Sequence, residues 1–212
     1  MTMTRTGRPN LGKTIKAVMR DAARRLPEFA HIDASRILIV AGEARRASRA
    51  TVRPMCFADS RTRFSLDGKR AKPIVQLRGT QMLYVVAFRP RFFMRSTPEQ
   101  RVETILHELW HMAQEFDGTL HRARRHAVLP GQRFHDVFQP LVKRYLSAVP
   151  PKLLAALAFH GEGIMRHWLE RPAPFFHVDG RNPSKPARRP IFTEAQLFYG
   201  PVKMITPDAW RH

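Results

Sequence analysis

The chain of 212 residues predicts an α+β fold. Apolar, β-branched runs of strand length stand at 36–41, 72–77 and 81–88. Segments whose apolar residues recur at helical spacing stand at 11–26, 97–113 and 132–147. Hydrophobic residues make up 43% of the chain, which suits one domain with a buried core and argues against wholesale disorder.

Residues 1–10 read as a flexible basic arm, 11–149 as the domain, and 150–212 as a C-terminal extension of helix and extended chain. In 11–26, "LGKTIKAVMRDAARRL", Leu11, Ile15, Val18, Met19, Ala22 and Leu26 share one stripe. Lys13, Lys16, Arg20, Arg24 and Arg25 lie largely off it, and Pro27 ends the helix. "RILIVA" (36–41) is the first strand. Residues 42–71 are rich in Arg, Ser, Asp and Gly and predict loops with one weak strand near 51–57. "KPIVQL" (72–77) and "QMLYVVAF" (81–88), separated by Arg78-Gly79-Thr80, suit a hairpin.

The helix at 97–113 is the best specified. Thr97 is its N-cap, Pro98 its first residue, and Gln100 completes a capping box. Ile105, Leu106, Leu109, Met112 and Ala113 form its apolar stripe, and Asp117-Gly118 marks a turn beyond. A basic loop, 119–131, leads to a helix at 132–147 with Phe134, Val137, Phe138, Leu141, Val142 and Tyr145 on one face. Pro150-Pro151 breaks it, "KLLAALAFH" starts another, and the proline-rich segment 171–190 reads as an extended linker or arm.

Lys and Arg number 37 against 17 Asp and Glu, a formal charge of +20 that attracts polyanions such as nucleic acid. The basic stretches lack interleaved aromatics, so such contact is expected to be independent of base sequence. Cys56 is the single cysteine, which rules out an internal disulfide or a cysteine-rich zinc module. "MTMTRTGRPNLGK" has no apolar core of a secretory signal, and no run of about 18 apolar residues occurs. A cytoplasmic protein without membrane attachment is expected. "GRPNLGKT" (7–14) matches a phosphate-binding loop by letter, but no strand can precede it and Pro9 removes a needed N–H, so the match is judged accidental.

The chemistry lies in "ILHELWHMAQEFDG", 105–118. His107 and His111 are four residues apart, about 40° of rotation on a helix, so both imidazoles can share one zinc ion. Glu108 then stands where a carboxylate reaches the water on that metal and takes its proton during attack on a carbonyl. A third protein ligand is needed, and Glu115, Asp117, His121, His126 and His135 are candidates. Glu115 drifts further round the helix, Asp117 lacks the preceding glycine that would bring it back, and His121 and His126 sit in an arginine-rich loop. His135, at the border of the next helix's apolar face, is favoured by geometry.

Residues 84–120 and the later Arg133-Phe134-His135-Asp136 resemble the phage and archaeal metallopeptidase family, a distant relative of the SprT-like zincins. The matching features are the strand at 84–88, Arg91-Phe92, the motif His107, Glu108 and His111, the Phe116-Asp117-Gly118 turn, and the segment holding His135. The resemblance departs after Gly118, where "TLHRARRHAVLPGQ" is longer and more basic. It implies a small zincin-like domain with a twisted sheet of three or four strands packed on the motif helix, and a zinc peptidase with His107, His111 and His135 as ligands and Glu108 as base. The implied edge strand, 81–88, would hold a protein or peptide substrate by strand addition. Asp136 would either support His135 or serve as a surface N-cap, and no oxyanion partner is assigned, with Tyr145, His126 and Arg133 as the candidates. The competing reading is a non-catalytic protein that binds nucleic acid or an assembly on the same fold. Oligomeric state is not legible.

Overall fold

The computed structural model describes residues 9–42, 48–55, 70–71, 74–124, 132–159, 163–168, 176–177, 191–192 and 198–204. In chain order these form α1 (Leu11–Arg25), β1 (Ile37–Ala41), β2 (Ala50–Pro54), β3 (Arg70–Ala71), β4 (Ile74–Leu77), β5 (Thr80–Gln81), β6 (Tyr84–Phe88) and α2 (Pro90–Arg95). They continue as α3 (Pro98–Trp110), α4 (Gln132–Ala148), α5 (Pro151–Leu157), β7 (Gly163–Trp168), β8 (Phe176–His177), β9 (Ile191–Phe192) and β10 (Phe198–Met204). The arm at 1–8, Cys56, and most of the 171–190 segment lie outside the described residues.

The α+β class holds, and the main sheet has five strands in the order β10-β7-β1-β6-β2. That is one or two more than the sequence suggests, because "GIMRHW" and "FYGPVKM" in the C-terminal region carry no clear alternation yet supply β7 and β10. β1 runs parallel to β6, with Ile37 opposite Tyr84 and Ala41 opposite Phe88. Both strands are buried on both faces, which explains their unbroken apolar runs. Ile37, Ile39, Tyr84, Val86 and Phe88 face the helices, and Leu38, Val40 and Val85 face a smaller cluster with Val75, Leu77 and Met82.

The expected 72–88 hairpin is only partly formed. β4 and β5 pair across Arg78-Gly79, but the chain then leaves at Met82-Leu83 and β6 enters the main sheet. β6 is therefore an inner strand, and the edge expected at 81–88 falls to β2, which pairs antiparallel with it. Arg89 N–H bonds Arg49 O and Met55 N–H bonds Leu83 O, so odd-numbered residues of β2 turn their backbone groups to β6. Even-numbered ones face outward, where Pro54 costs no ladder bond.

The helices cover one face. The last four phosphate-loop letters, 11–14, form the first turn of α1: Asn10 caps it by accepting from Lys13 N–H at 3.0 Å, and Gly12 and Lys13 are helical. α1 is joined to α4 through buried Asp21, which accepts from Tyr145 Oη at 3.1 Å and from Arg25 Nε at 2.8 Å. Its start presses on β7 so closely that a Cβ on Gly163 would stand 2.6 Å from Leu11 Cδ1. Arg101, on the core side of α3, donates to Phe93 O at 3.0 Å and to Leu157 O, tying α2 and α5 to the motif helix. Among the described residues, no helix is long and apolar enough to cross a membrane.

Candidate metal centre

α3 begins as its sequence dictates. Thr97 Oγ1 accepts from Gln100 N–H at 3.2 Å, and Gln100 Oε1 accepts from Thr97 N–H at 3.1 Å. Val102, Ile105, Leu106 and Leu109 are sealed in the core, so the helix cannot rotate about its axis. It stops at Trp110, earlier than the apolar stripe suggests, and His111 is its C-cap.

Beyond the helix the chain doubles back. Phe116 (φ 46°) and Gly118 (φ 87°) take left-handed conformations, and Asp117 Oδ1 closes the turn by accepting from Thr119 N–H at 2.9 Å. From β6, the hydroxyl of Tyr84 donates to Thr119 O at 2.8 Å and accepts from Gly118 N–H at 3.1 Å. The returning strap runs beside the helix end: Ala113 N–H bonds Thr119 O, and His121 N–H bonds His111 O at 2.9 Å. It reaches Arg124, whose carbonyl lies 2.7 Å from His111 Nδ1, while its guanidinium stacks on the Trp110 ring at 3.8 Å.

That carbonyl fixes the proton of His111 on Nδ1 and leaves Nε2 with a lone pair. His111 Nε2 points at His107 Nε2, 3.1 Å away. Two donors on one tetrahedral zinc, each about 2.0–2.1 Å from it, would be about 3.4 Å apart, so this pair fits a shared ion with little adjustment. Phe134 and Phe138 of α4 cover the pair, with ring centroids 4.9 and 5.6 Å from that of His107. The two aromatic rings thus shield one side of the imidazoles.

Glu108 is buried beside them, only 4% exposed. Burial pushes its carboxyl pKa up to about 8, opposed by a hydrogen bond from the backbone of Val52. Val52 is an outward-facing position of β2, so the edge strand and the motif glutamate meet directly. A divalent ion on the imidazoles would favour the ionised carboxylate and pull the pKa down again.

The structure brings together His107, Glu108 and His111. His135 is exposed on α4, one residue after Phe134, and Asp136 is exposed as well. Among the described residues, no group of three His, Cys, Asp or Glu side chains stands close enough to hold a metal. His126 lies outside the described residues. Asp117 is engaged in its turn, Glu115 is exposed, and His121 lends its backbone to the strap. Tyr145 is withdrawn as an oxyanion partner, since its fully buried hydroxyl is held by Asp21. Three contributors escape a reading of the sequence: Arg124, Tyr84 and Val52. A tyrosine opening an apolar strand is a signal for one of them. Val52 acts through a backbone N–H that any residue but proline would supply, and Arg124 through a carbonyl that its guanidinium seats by stacking on Trp110.

Fold and site together define a mixed-sheet domain that presents a two-histidine, one-glutamate helix beside its edge strand. Residues 9–158 match the family described as "Putative phage metallopeptidase", and the chain belongs to it. Membership makes it a metallopeptidase at the level of the family and implies a metal. No curated protein and no solved structure matches the chain significantly.

Proposed function

We propose that the protein is a cytoplasmic zinc-dependent peptidase of the His-Glu-x-x-His type, with His107, His111 and His135 as ligands and Glu108 as general base. The observation that carries the reading is the 3.1 Å approach of the two Nε2 atoms with His111 oriented from behind by Arg124 O. His135 is carried as the third ligand by the resemblance of Arg133-Phe134-His135-Asp136 to the family's last segment; its side chain is exposed, one residue past the Phe134 that packs on both imidazoles.

When bound, zinc would acidify water and polarise the scissile carbonyl. The chain's residues do the rest. Glu108 accepts the proton of the attacking water and passes it to the departing amine. The N–H of Val52 holds that carboxylate between the imidazoles and β2. A substrate strand laid along the outer side of β2 brings its carbonyl to the glutamate, because the edge and the site share Val52. The charge of +20 supports nucleic acid as a further, sequence-independent partner.

Glu108→Gln is expected to keep the metal and to lower hydrolysis of an unstructured protein substrate by about 10²–10⁴-fold. Undiminished cleavage would remove the glutamate from the mechanism. Metal content of the unmodified chain, His135→Ala and His126→Ala tests the third ligand; loss of metal with His126→Ala alone would move that role to His126.

A further inference from the structure

α1 carries a row of cations on its outer face. Lys13, Lys16, Arg20 and Arg24 follow one another at steps of three or four residues, a stripe about 16 Å long at the helical rise. A solvated helix face usually intersperses acids at such spacings. Here the one acid of α1 is Asp21, and its carboxylate is buried and held by Arg24, Arg25 and Tyr145.

A further positive charge, that of Arg166 on β7, is felt at Lys16. Ile164 N–H bonds Pro9 O at 2.8 Å, which seats the start of α1 on β7, and Arg166 follows two residues on. Lys16 is half-buried, with its ammonium 3.3 Å from Ser35 O. Burial, then the positive charges of Arg166 and Arg20, push its pKa down to about 8 against a weaker pull from Asp33. Cations gathered this closely repel one another, and a bound anion relieves that repulsion.

We propose that Lys13, Lys16, Arg20 and Arg166 form a phosphate-binding surface for the backbone of a nucleic acid. The charge is linear and matches a linear polyanion. A bilayer is less suited, because the one exposed large hydrophobic residue among those described is Val137 on α4, which leaves this face nothing to insert. β1 and β6 separate β7 from β2, about 14 Å at three strand spacings, so the nucleic acid lies beside the helix layer without covering the β2 edge. The inference rests on the charge reading and is independent of hydrolysis.

The test compares the full chain with Lys16→Gln/Arg20→Gln/Arg166→Gln and with a control of equal charge loss, Arg95→Gln/Lys143→Gln/Lys152→Gln, whose positions are all exposed. Affinity for a short mixed-sequence DNA duplex is measured across a salt series. The cluster variant is expected to bind at least about tenfold more weakly at 0.1 M salt, with a log–log salt slope shallower by about two to three, and the control to fall by much less. Arg20→Gln and Arg166→Gln singly should each remove close to one unit of slope, which keeps the test informative if the triple variant unfolds. Equal losses in cluster and control variants would overturn the proposal, as would the absence of DNA binding by the unmodified chain. Binding to phosphatidylserine vesicles in preference to DNA would overturn it in favour of a membrane. Glu108→Gln should bind DNA like the unmodified chain, so failure of the peptidase reading would leave this result standing.

Discussion

Tyr84→Phe removes a single oxygen atom and should be felt throughout the candidate metal centre. That hydroxyl is fully buried and makes two hydrogen bonds, to Thr119 O at 2.8 Å and from Gly118 N–H at 3.1 Å. Burial pushes its pKa up to about 12, so it remains protonated and able to donate at neutral pH. Phenylalanine keeps the ring and its 5.0 Å approach to Phe116, so no cavity term enters. Losing two bonds of about 1 kcal/mol each, with one buried amide left unsatisfied, gives a destabilisation of about 2–3 kcal/mol. In a chain of this size that lowers Tm by roughly 4–12 °C. Urea denaturation followed by circular dichroism measures it directly, and the same variant should bind zinc more weakly because the strap carrying Arg124 is loosened. A change below about 0.5 kcal/mol with metal affinity intact would refute the view that Tyr84 holds the turn.

Three further perturbations follow from the same geometry. Arg124→Ala takes away the stacking on Trp110 that seats the carbonyl behind His111, and competition with a chelator should show metal affinity reduced by about 10–100-fold with the fold retained. Arg101→Met should cost about 2–4 kcal/mol in denaturant titration, since Phe93 O and Leu157 O lose a charged donor in a buried setting. Lys16 has a folded-state pKa of about 8 against an ordinary 10.5, so the unfolded chain binds the extra proton between those values and stability should rise with pH across that window. After allowance for solvent screening, Lys16→Gln should stabilise the chain below pH 8 by about 1 kcal/mol, read from thermal melts at pH 7 and pH 10.

Local signals are the legible ones. The Thr97–Gln100 box, Pro98 and the stripe of Ile105, Leu106 and Leu109 specify α3 within a dozen residues, and the box forms as read. β1 and β6 are visible because burial on both faces demands continuous apolar sequence. Order in space is not legible. Nothing local says that 84–88 slips between 37–41 and 50–54, or that "GIMRHW" continues the sheet, since pairing partners are chosen by packing far along the chain. Arg53 and Pro54 make β2 look weak, and both are tolerated because it is an edge. α2 has Pro90 at its first position as a start signal, but six residues are too few for an apolar stripe to show. At the site, the His107–His111 pair follows from helical spacing alone. The support behind His111 comes from thirteen residues further on and is made by a carbonyl, which carries no signature in the side-chain alphabet.

His111 stands at the C-cap rather than inside the helix, and this has a consequence for the order in which the protein matures. A nascent or isolated α3 could display both histidines, yet the second would swing on a frayed end with its tautomer unassigned. Its orientation is completed only when the turn at Phe116–Gly118 has closed and Tyr84 has docked from the sheet. On the proposed reading, competence to hold a metal is thereby tied to completed tertiary structure, and a partly folded chain lacks the finished site at the stage when its own backbone is the nearest peptide.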